Sequence, residues 1–94
     1  MSGKRIDEQT VNELFELILS LKSVEDCRLL FDDLCTVKEV EQMAQRVKAA
    51  RLLMEGKTYS KVIEETDISS ATLSRVSRCV QYGNGYTKFL SEKK

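Results

Sequence analysis

The chain contains no proline and only four glycines in 94 residues, so few residues interrupt a helix. Apolar residues recur at spacings of three and four along most of the sequence, which is the period of one helical face. A composition of 41% apolar and 32% charged residues is typical of a globular protein. The sequence therefore predicts a single all-α domain.

Polar residues mark where the predicted helices begin, because their side chains accept hydrogen bonds from the first backbone amides. Gly56 is a typical helix terminator. The predicted helix starts are Ser23, Thr36 (with Glu39 in a capping box), Thr58, Ser69 and Thr87. The predicted helices are about Asp7–Leu21, Ser23–Leu34, about 18 residues after Thr36, Tyr59–Thr66, Ser70–Tyr82, and a last short helix through Phe89 and Leu90 to a basic tail.

The first helix carries apolar residues on more than one face. Val11, Leu14 and Ile18 follow a single stripe, and Leu17 and Leu19 widen it. Such a helix needs several packing partners, and a short chain can find them in a second copy of itself. We expect residues 7–56 to form a dimerisation core; the alternative is a helix buried within a monomer.

The formal net charge is zero, but the two halves of the chain differ in sign. Residues 1–45 carry five Lys or Arg and ten Asp or Glu, whereas residues 46–94 carry ten and five. A basic half is suited to binding a polyanion, although runs of charge are more often solvated faces.

Several classes of function are disfavoured by residue usage. The chain has no histidine, the commonest general base and a frequent metal ligand, so we expect neither an enzyme nor a metal site. Cys27, Cys35 and Cys79 match no zinc or disulfide pattern and are predicted to be buried reduced thiols. No segment has the length of a membrane span or the core of a signal peptide, so we expect a cytoplasmic protein without membrane contacts.

The two short helices of residues 58–80 have the arrangement of a helix-turn-helix, whose second helix enters the major groove of DNA. Asp67 lies in the turn where a positive φ is common, and Ile68 anchors that turn. The side chains predicted to face the domain are Val62, Thr66, Ala71, Leu73, Val76 and Val80, with Ile63 near Val62 and Thr66. Residues 81–94 are expected to form a glycine-containing turn and the last helix, with Tyr82, Tyr86 and Phe89 packed on a partner subunit.

The second helix of this pair has the chemistry of a surface that reads DNA. Ser70, Thr72 and Ser74 can exchange hydrogen bonds with base edges, and Ala71 and the Thr72 methyl group can contact thymine. Arg75 and Arg78 can reach guanine or phosphate. The residues expected to hold the phosphate backbone are Lys57, Tyr59, Ser60 and Lys61.

An alternative interpretation is a helical protein–protein adaptor in which the helix pair is only a scaffold. Paired helices with Ser or Thr caps are common in α-domains, and the near-neutral net charge and acidic first half suit a protein partner. Capture of a protein partner, together with no measurable retardation of DNA, would favour the adaptor.

The run Thr58–Arg75, preceded by Thr36, Arg46 and the Leu52-Leu-Met-Glu-Gly56 segment, resembles the tryptophan repressor family. Within that family it is similar to the YerC/YecD-type group of Gram-positive bacteria. The resemblance covers about residues 36–80 and implies an intertwined all-helical dimer with a helix-turn-helix reading head. It also implies a transcriptional repressor that binds a double-stranded DNA operator.

The resemblance further implies an amino-acid co-repressor between the dimer core and the reading head. In the family, two arginines sandwich the indole ring of tryptophan, and a threonine and a serine complete the site. The corresponding residues here are Arg46, Arg75, Thr36 and Cys79. The alternative role for Arg46 is a structural one, in a surface or interface ion pair.

Two positions depart from the family pattern. Val76 stands where the family has a glycine that admits the indole, and Cys79 replaces the serine. We therefore expect an effector other than tryptophan. Because this group has been linked with histidine biosynthesis genes, histidine is the first candidate.

Overall fold

The computed structural model describes residues 5–91, and all regular secondary structure in that range is helical. The all-α prediction is confirmed. No helix in this range combines the length and apolar character needed to cross a bilayer. The six helices are α1 (Glu8–Leu19), α2 (Val24–Leu34), α3 (Val37–Met54), α4 (Tyr59–Glu65), α5 (Ser70–Tyr82) and α6 (Gly85–Leu90). The basic tail predicted from the sequence lies outside the described residues.

Helices α1, α2, α4 and α5 each begin at a polar side chain that accepts from the backbone amide three residues further on. Gly56 ends α3 with a φ of +91°, a conformation that glycine adopts without steric cost. The caps and their amides are Asp7 with Thr10 (3.0 Å), Ser23 with Asp26 (3.0 Å), Thr58 with Lys61 (3.1 Å) and Ser69 with Thr72 (3.1 Å). The predicted caps Ser23, Thr58 and Ser69 are confirmed.

The chain forms two compact units, which meet in sequence between Thr36 and Val37. The first contains α1 and α2, and neither helix has a buried residue in the single chain. Phe15 is 55% exposed and Leu19 is 82% exposed. The first unit therefore leaves large apolar side chains uncovered, as the widened stripe of the sequence indicates.

The second unit contains α3 to α6 around one apolar core. Ala49 and Ala50 of α3 pack with Val62 of α4 and with Leu73 and Val76 of α5, and all five are at most 1% exposed. Helix α5 packs against α3, α4 and α6, and α3 also packs against α4 and α6. This core holds α5 through Leu73 and Val76, and Ser70, Ser74 and Arg78 remain exposed.

The turn between α4 and α5 differs from the prediction at Asp67. No residue other than glycine has a positive φ within residues 5–91, so the expected left-handed conformation is wrong. The chain leaves α4 through Thr66 in an extended conformation (φ −124°, ψ 178°) and enters α5 through extended Ser69 (φ −75°, ψ 162°). Because these two residues redirect the chain, Asp67 needs no left-handed geometry.

Ala71 does not face the domain as predicted. Ala71 is exposed, because the buried stripe of α5 runs through Leu73, Val76 and Ser77, and a helical step of about 100° per residue places Ala71 opposite Leu73. Ile63 is 43% exposed, whereas its neighbour Val62 is buried. The predictions for Val62, Leu73 and Val76 are confirmed.

The C-terminal helix begins earlier than predicted. Asn84 stands at the N-cap without a side-chain capping bond, and Thr87 lies inside α6, where its hydroxyl donates to the Asn84 carbonyl oxygen at 3.3 Å. The Thr87 cap is therefore wrong. Tyr86 packs against the core of its own chain, whereas Tyr82 (80% exposed) and Phe89 (71% exposed) project outward.

The three cysteines are free thiols, but the prediction that they are buried is wrong. Cys27 is exposed, and Cys35 and Cys79 are half-buried. Cys27 is exposed because α2 has no buried face in the single chain.

Candidate functional site

The outward face of α5 is polar and accessible. Ser70, Ser74 and Arg78 are exposed and follow each other at intervals of four residues, so they share one helical stripe. Arg75 is exposed on the neighbouring stripe, and Thr72 is half-buried. Short hydroxyl side chains beside two guanidinium groups allow the helix backbone to approach a polyanion closely.

The first turn of α5 is held by Ser69 and Thr72. The Thr72 amide donates to the Ser69 hydroxyl oxygen at 3.1 Å, and the Ser69 hydroxyl donates to the Thr72 hydroxyl oxygen at 3.1 Å. This pair fixes the orientation of the Thr72 side chain at the N-terminus of the polar face.

The start of α4 presents the residues predicted to hold phosphates. Lys57, Tyr59, Ser60 and Lys61 are all exposed. Lys61 Nζ lies 3.3 Å from a Glu65 carboxylate oxygen and 3.9 Å from one of Glu64. Sequence reasoning missed this pairing, which weakens Lys61 as a phosphate ligand because the anion must compete with two carboxylates.

Four of the five predicted effector residues line one cavity of about 390 Å³ in the second unit. Arg46 comes from α3, and Arg75, Val76 and Cys79 come from α5. We call this space the arginine cavity; its remaining lining residues are Ala71, Thr72 and Tyr86. The fifth predicted residue, Thr36, ends the first unit directly before α3, and its part in the site stays a prediction.

Ala71, Thr72 and Tyr86 are lining residues of this cavity that the sequence did not predict. Ala71, Arg75 and Cys79 lie four residues apart, and that spacing could have indicated a common stripe. Tyr86 belongs to α6, which packs back against α3 and α5. No local signal in the sequence identifies that packing.

A second cavity, of about 400 Å³, adjoins α3 and the turn before α5. It shares Arg46 and Thr72 with the arginine cavity, and sequence reasoning missed it entirely. We call it the mixed-charge cavity; its other lining residues are Lys38, Glu41, Gln42, Gln45, Asp67, Ile68 and Ser69. Within residues 5–91, no group of three or more His, Cys, Asp or Glu side chains is placed to hold a metal ion.

The all-helical fold has the architecture of solved Trp-repressor-like proteins, which belong to the class of DNA-binding regulators. Residues 9–94 match the family model described as Trp repressor protein. The chain belongs to the Trp repressor family.

Individual relatives agree with this assignment. The uncharacterized protein YerC of Bacillus subtilis (strain 168) is 51% identical over 84 residues, which are 89% of this chain and 76% of YerC. A crystal structure described as a candidate Trp repressor from Staphylococcus aureus has a TM-score of 0.86 at 41% identity, covering 92% of this chain and 87% of that one. A TrpR-like protein from Eubacterium eligens ATCC 27750 has a TM-score of 0.86 at 40% identity, covering 92% and 90%. The predicted resemblance to a TrpR-like protein of the YerC type is confirmed.

Proposed function

We propose that this chain is a sequence-specific transcriptional repressor of amino-acid metabolism genes, acting in the cytoplasm as a homodimer. The observation that carries the proposal is the exposed stripe of Ser70, Ser74 and Arg78 on α5 beside Arg75. Leu73 and Val76 anchor the opposite face of this helix in the core. A rigidly mounted helix with an accessible polar face is what major-groove reading requires.

In this proposal α4 and α5 act as a helix-turn-helix. Arg78 and Arg75 donate to guanine or phosphate, and Ser70 and Ser74 exchange hydrogen bonds with base edges. On the other side of the turn, the phosphate backbone of DNA is bound by Lys57, Tyr59 and Ser60. Lys61 contributes less, because Glu65 already pairs with its ammonium group. Ala71 and Thr72 contribute less to base contacts than the sequence suggested, because both line the arginine cavity.

The uncovered apolar side chains of α1 and α2 support a dimer. A single chain that exposes residues such as Phe15, Leu19 and Leu29 gains stability when a second copy removes them from water. Two copies related by a twofold axis would present two α5 helices to half-sites about 34 Å apart, and the operator would be an approximate palindrome.

The arginine cavity supports control by an amino-acid effector. Guanidinium groups bind carboxylates with paired hydrogen bonds, and Arg46 and Arg75 line the same space. Buried Val76 fills volume that a glycine would leave open, which disfavours the bicyclic ring of tryptophan. Histidine, with a smaller ring, is the first candidate effector.

The proposal is tested by selecting genomic fragments that the protein retains, then measuring affinity for the selected site and for a scrambled version. We expect preference for the selected site, a steep loss of affinity with salt, and a marked loss in Arg78→Ala. Lys88→Ala is the matched control, because it removes an exposed cation from α6. Equal retention of scrambled DNA, or equal effects of the two variants, would contradict sequence-specific reading.

The apolar surface of α1 and α2 also suits a protein partner, which keeps the adaptor as a second candidate. A monomeric protein that fails to retard any selected fragment and captures a protein partner would favour the adaptor.

A further inference from the structure

The arginine cavity and the mixed-charge cavity meet at two shared residues. Arg46 and Thr72 line both, whereas Arg75 lines only the first, and Glu41 and Asp67 line only the second. Each cavity is near the lower end of the range of about 300–1,000 Å³ typical of small-molecule sites. The two cavities are therefore adjacent at Arg46 and Thr72.

The two ends of this space differ in charge. Apart from the shared Arg46, the arginine cavity carries one cation, Arg75, and the mixed-charge cavity carries two carboxylates and one ammonium, from Glu41, Asp67 and Lys38. Neither Glu41 nor Asp67 has an ion-pair partner within 4.0 Å among residues 5–91. With Arg46 counted in both, the arginine cavity carries two cations, and the mixed-charge cavity carries two cations and two carboxylates. The first therefore favours an anion, and the second has no net charge but holds two carboxylates without an ion-pair partner.

We propose that the effector is an amino acid with a positively charged side chain, which spans both cavities. Its carboxylate binds Arg75 and Arg46, and its side-chain cation binds Glu41 and Asp67. The inference rests on the proposed control by an amino-acid effector and names the class of that effector. Arginine, lysine and protonated histidine belong to this class.

The α-ammonium group of an ordinary neutral amino acid does not meet this requirement. It is one carbon from the α-carboxylate, so a carboxylate held at Arg75 keeps it in the arginine cavity. We expect a cation carried further along the ligand to reach the carboxylates that line the other cavity alone. The charge of the side chain then becomes the basis of selection.

Thr72 connects the spanning ligand to the DNA-binding face. It lines both cavities, and it exchanges two hydrogen bonds with Ser69 in the first turn of α5. A ligand held on both sides of Thr72 restricts that turn. The bound ligand thereby sets the position of the first turn of α5 against DNA, which couples the two binding events.

The test is direct binding of amino acids to the full-length protein, measured by calorimetry without DNA. L-lysine is compared with L-norleucine, which lacks the side-chain ammonium, and L-arginine with L-citrulline, which is close in shape and neutral. We expect at least one cationic ligand to bind about tenfold or more tightly than its neutral counterpart, a factor that corresponds to about 1.4 kcal/mol.

Variants of the mixed-charge cavity test which residues select the positively charged side chain of the ligand. Glu41→Gln and Asp67→Asn should each reduce the preference for the cationic ligand while leaving the binding of the neutral analogue unchanged. Glu64→Gln is the matched control, since Glu64 is exposed on α4 and lines neither cavity. Helix content measured by circular dichroism checks that each variant is folded.

The outcomes separate this inference from the proposed function. Equal affinity for charged and neutral members of both pairs, absence of binding by all of them, or a preference that survives both carboxylate substitutions would overturn the inference. DNA retardation measured on the same samples reports on the regulator itself. If the protein binds DNA specifically but shows no preference for charged ligands, the inference fails and the proposed regulator stands. If it selects charged ligands but does not bind DNA, the proposed regulator fails and the ligand class stands.

Discussion

Ser69 and Thr72 form a reciprocal pair at the start of α5, in which the Thr72 amide donates to the Ser69 oxygen and the Ser69 hydroxyl donates to the Thr72 hydroxyl oxygen, both at 3.1 Å. This pair holds the N-terminus of the helix that carries the proposed DNA contacts. Thr72 also lines two adjacent cavities. The capping interaction therefore has consequences for both stability and binding.

We expect Ser69→Ala to lower the free energy of unfolding by about 1 kcal/mol, because the first turn of α5 loses its cap. Chemical denaturation of the wild type and the variant measures the difference. Ser69→Asp keeps a side-chain acceptor and should recover most of the loss, whereas Ser70→Ala removes an exposed hydroxyl outside the cap and should change little. Equal stability of Ser69→Ala and wild type would show that the cap is not needed.

Release of Lys61 from Glu65 should strengthen DNA binding. Glu65→Gln removes the carboxylate that lies 3.3 Å from Lys61 Nζ, so the ammonium becomes available to phosphate. We expect a few-fold gain in affinity at low salt, which fades as salt rises, consistent with the small energies of exposed ion pairs.

The control for this prediction is the same substitution in a Lys61→Ala background. Removing a negative charge near DNA raises affinity in any case, and the double-mutant cycle isolates the part that depends on Lys61. An identical gain in both backgrounds would show that Glu65 acts only through its charge.

We expect Val76→Gly to open the arginine cavity to tryptophan. The substitution should lower the free energy of unfolding by about 2–4 kcal/mol, because a buried valine is lost and a glycine is placed inside a helix. Denaturation gives the stability cost, and calorimetry with tryptophan gives the binding. Val76→Ala is the intermediate control. If the glycine variant is folded but does not bind tryptophan, residue 76 is not what excludes the indole.

Asp7 is expected to make α1 sensitive to acid. The hydrogen bond from the Thr10 backbone amide to its carboxylate lowers the pKa of Asp7 below its ordinary value of 3.8. Because the folded-state pKa is the lower one, the stabilisation is complete above the unfolded value of 3.8 and is lost as pH falls through the folded value. NMR titration of the Asp7 carboxyl carbon measures that pKa directly.

The matched variant is Asp7→Ser, which retains a capping oxygen but has no carboxyl group to titrate. Its α1 should keep helical amide shifts through the same acidic range in which the wild-type signals move. Parallel changes in both proteins would assign the acid response to another group.

Most helix bounds could be predicted from the sequence because they depend on neighbouring residues. The caps Ser23, Thr58 and Ser69 act on amides three residues away, and Gly56 supplies the positive φ that ends α3. The buried stripe through Leu73 and Val76 follows from helical periodicity. Arg46 and Arg75 are predicted as effector residues from a family resemblance, and both line one cavity.

Other features depend on how separate helices meet, and local patterns do not encode them. Tyr86 reaches the arginine cavity only because α6 packs against α3 and α5, and the mixed-charge cavity exists only because Glu41 of α3 comes near Asp67 in the turn. The sequence by itself determined the helices and the chemistry that each one carries. The tertiary structure decided which of those side chains share a cavity, because packing between helices brings together residues that are distant along the chain.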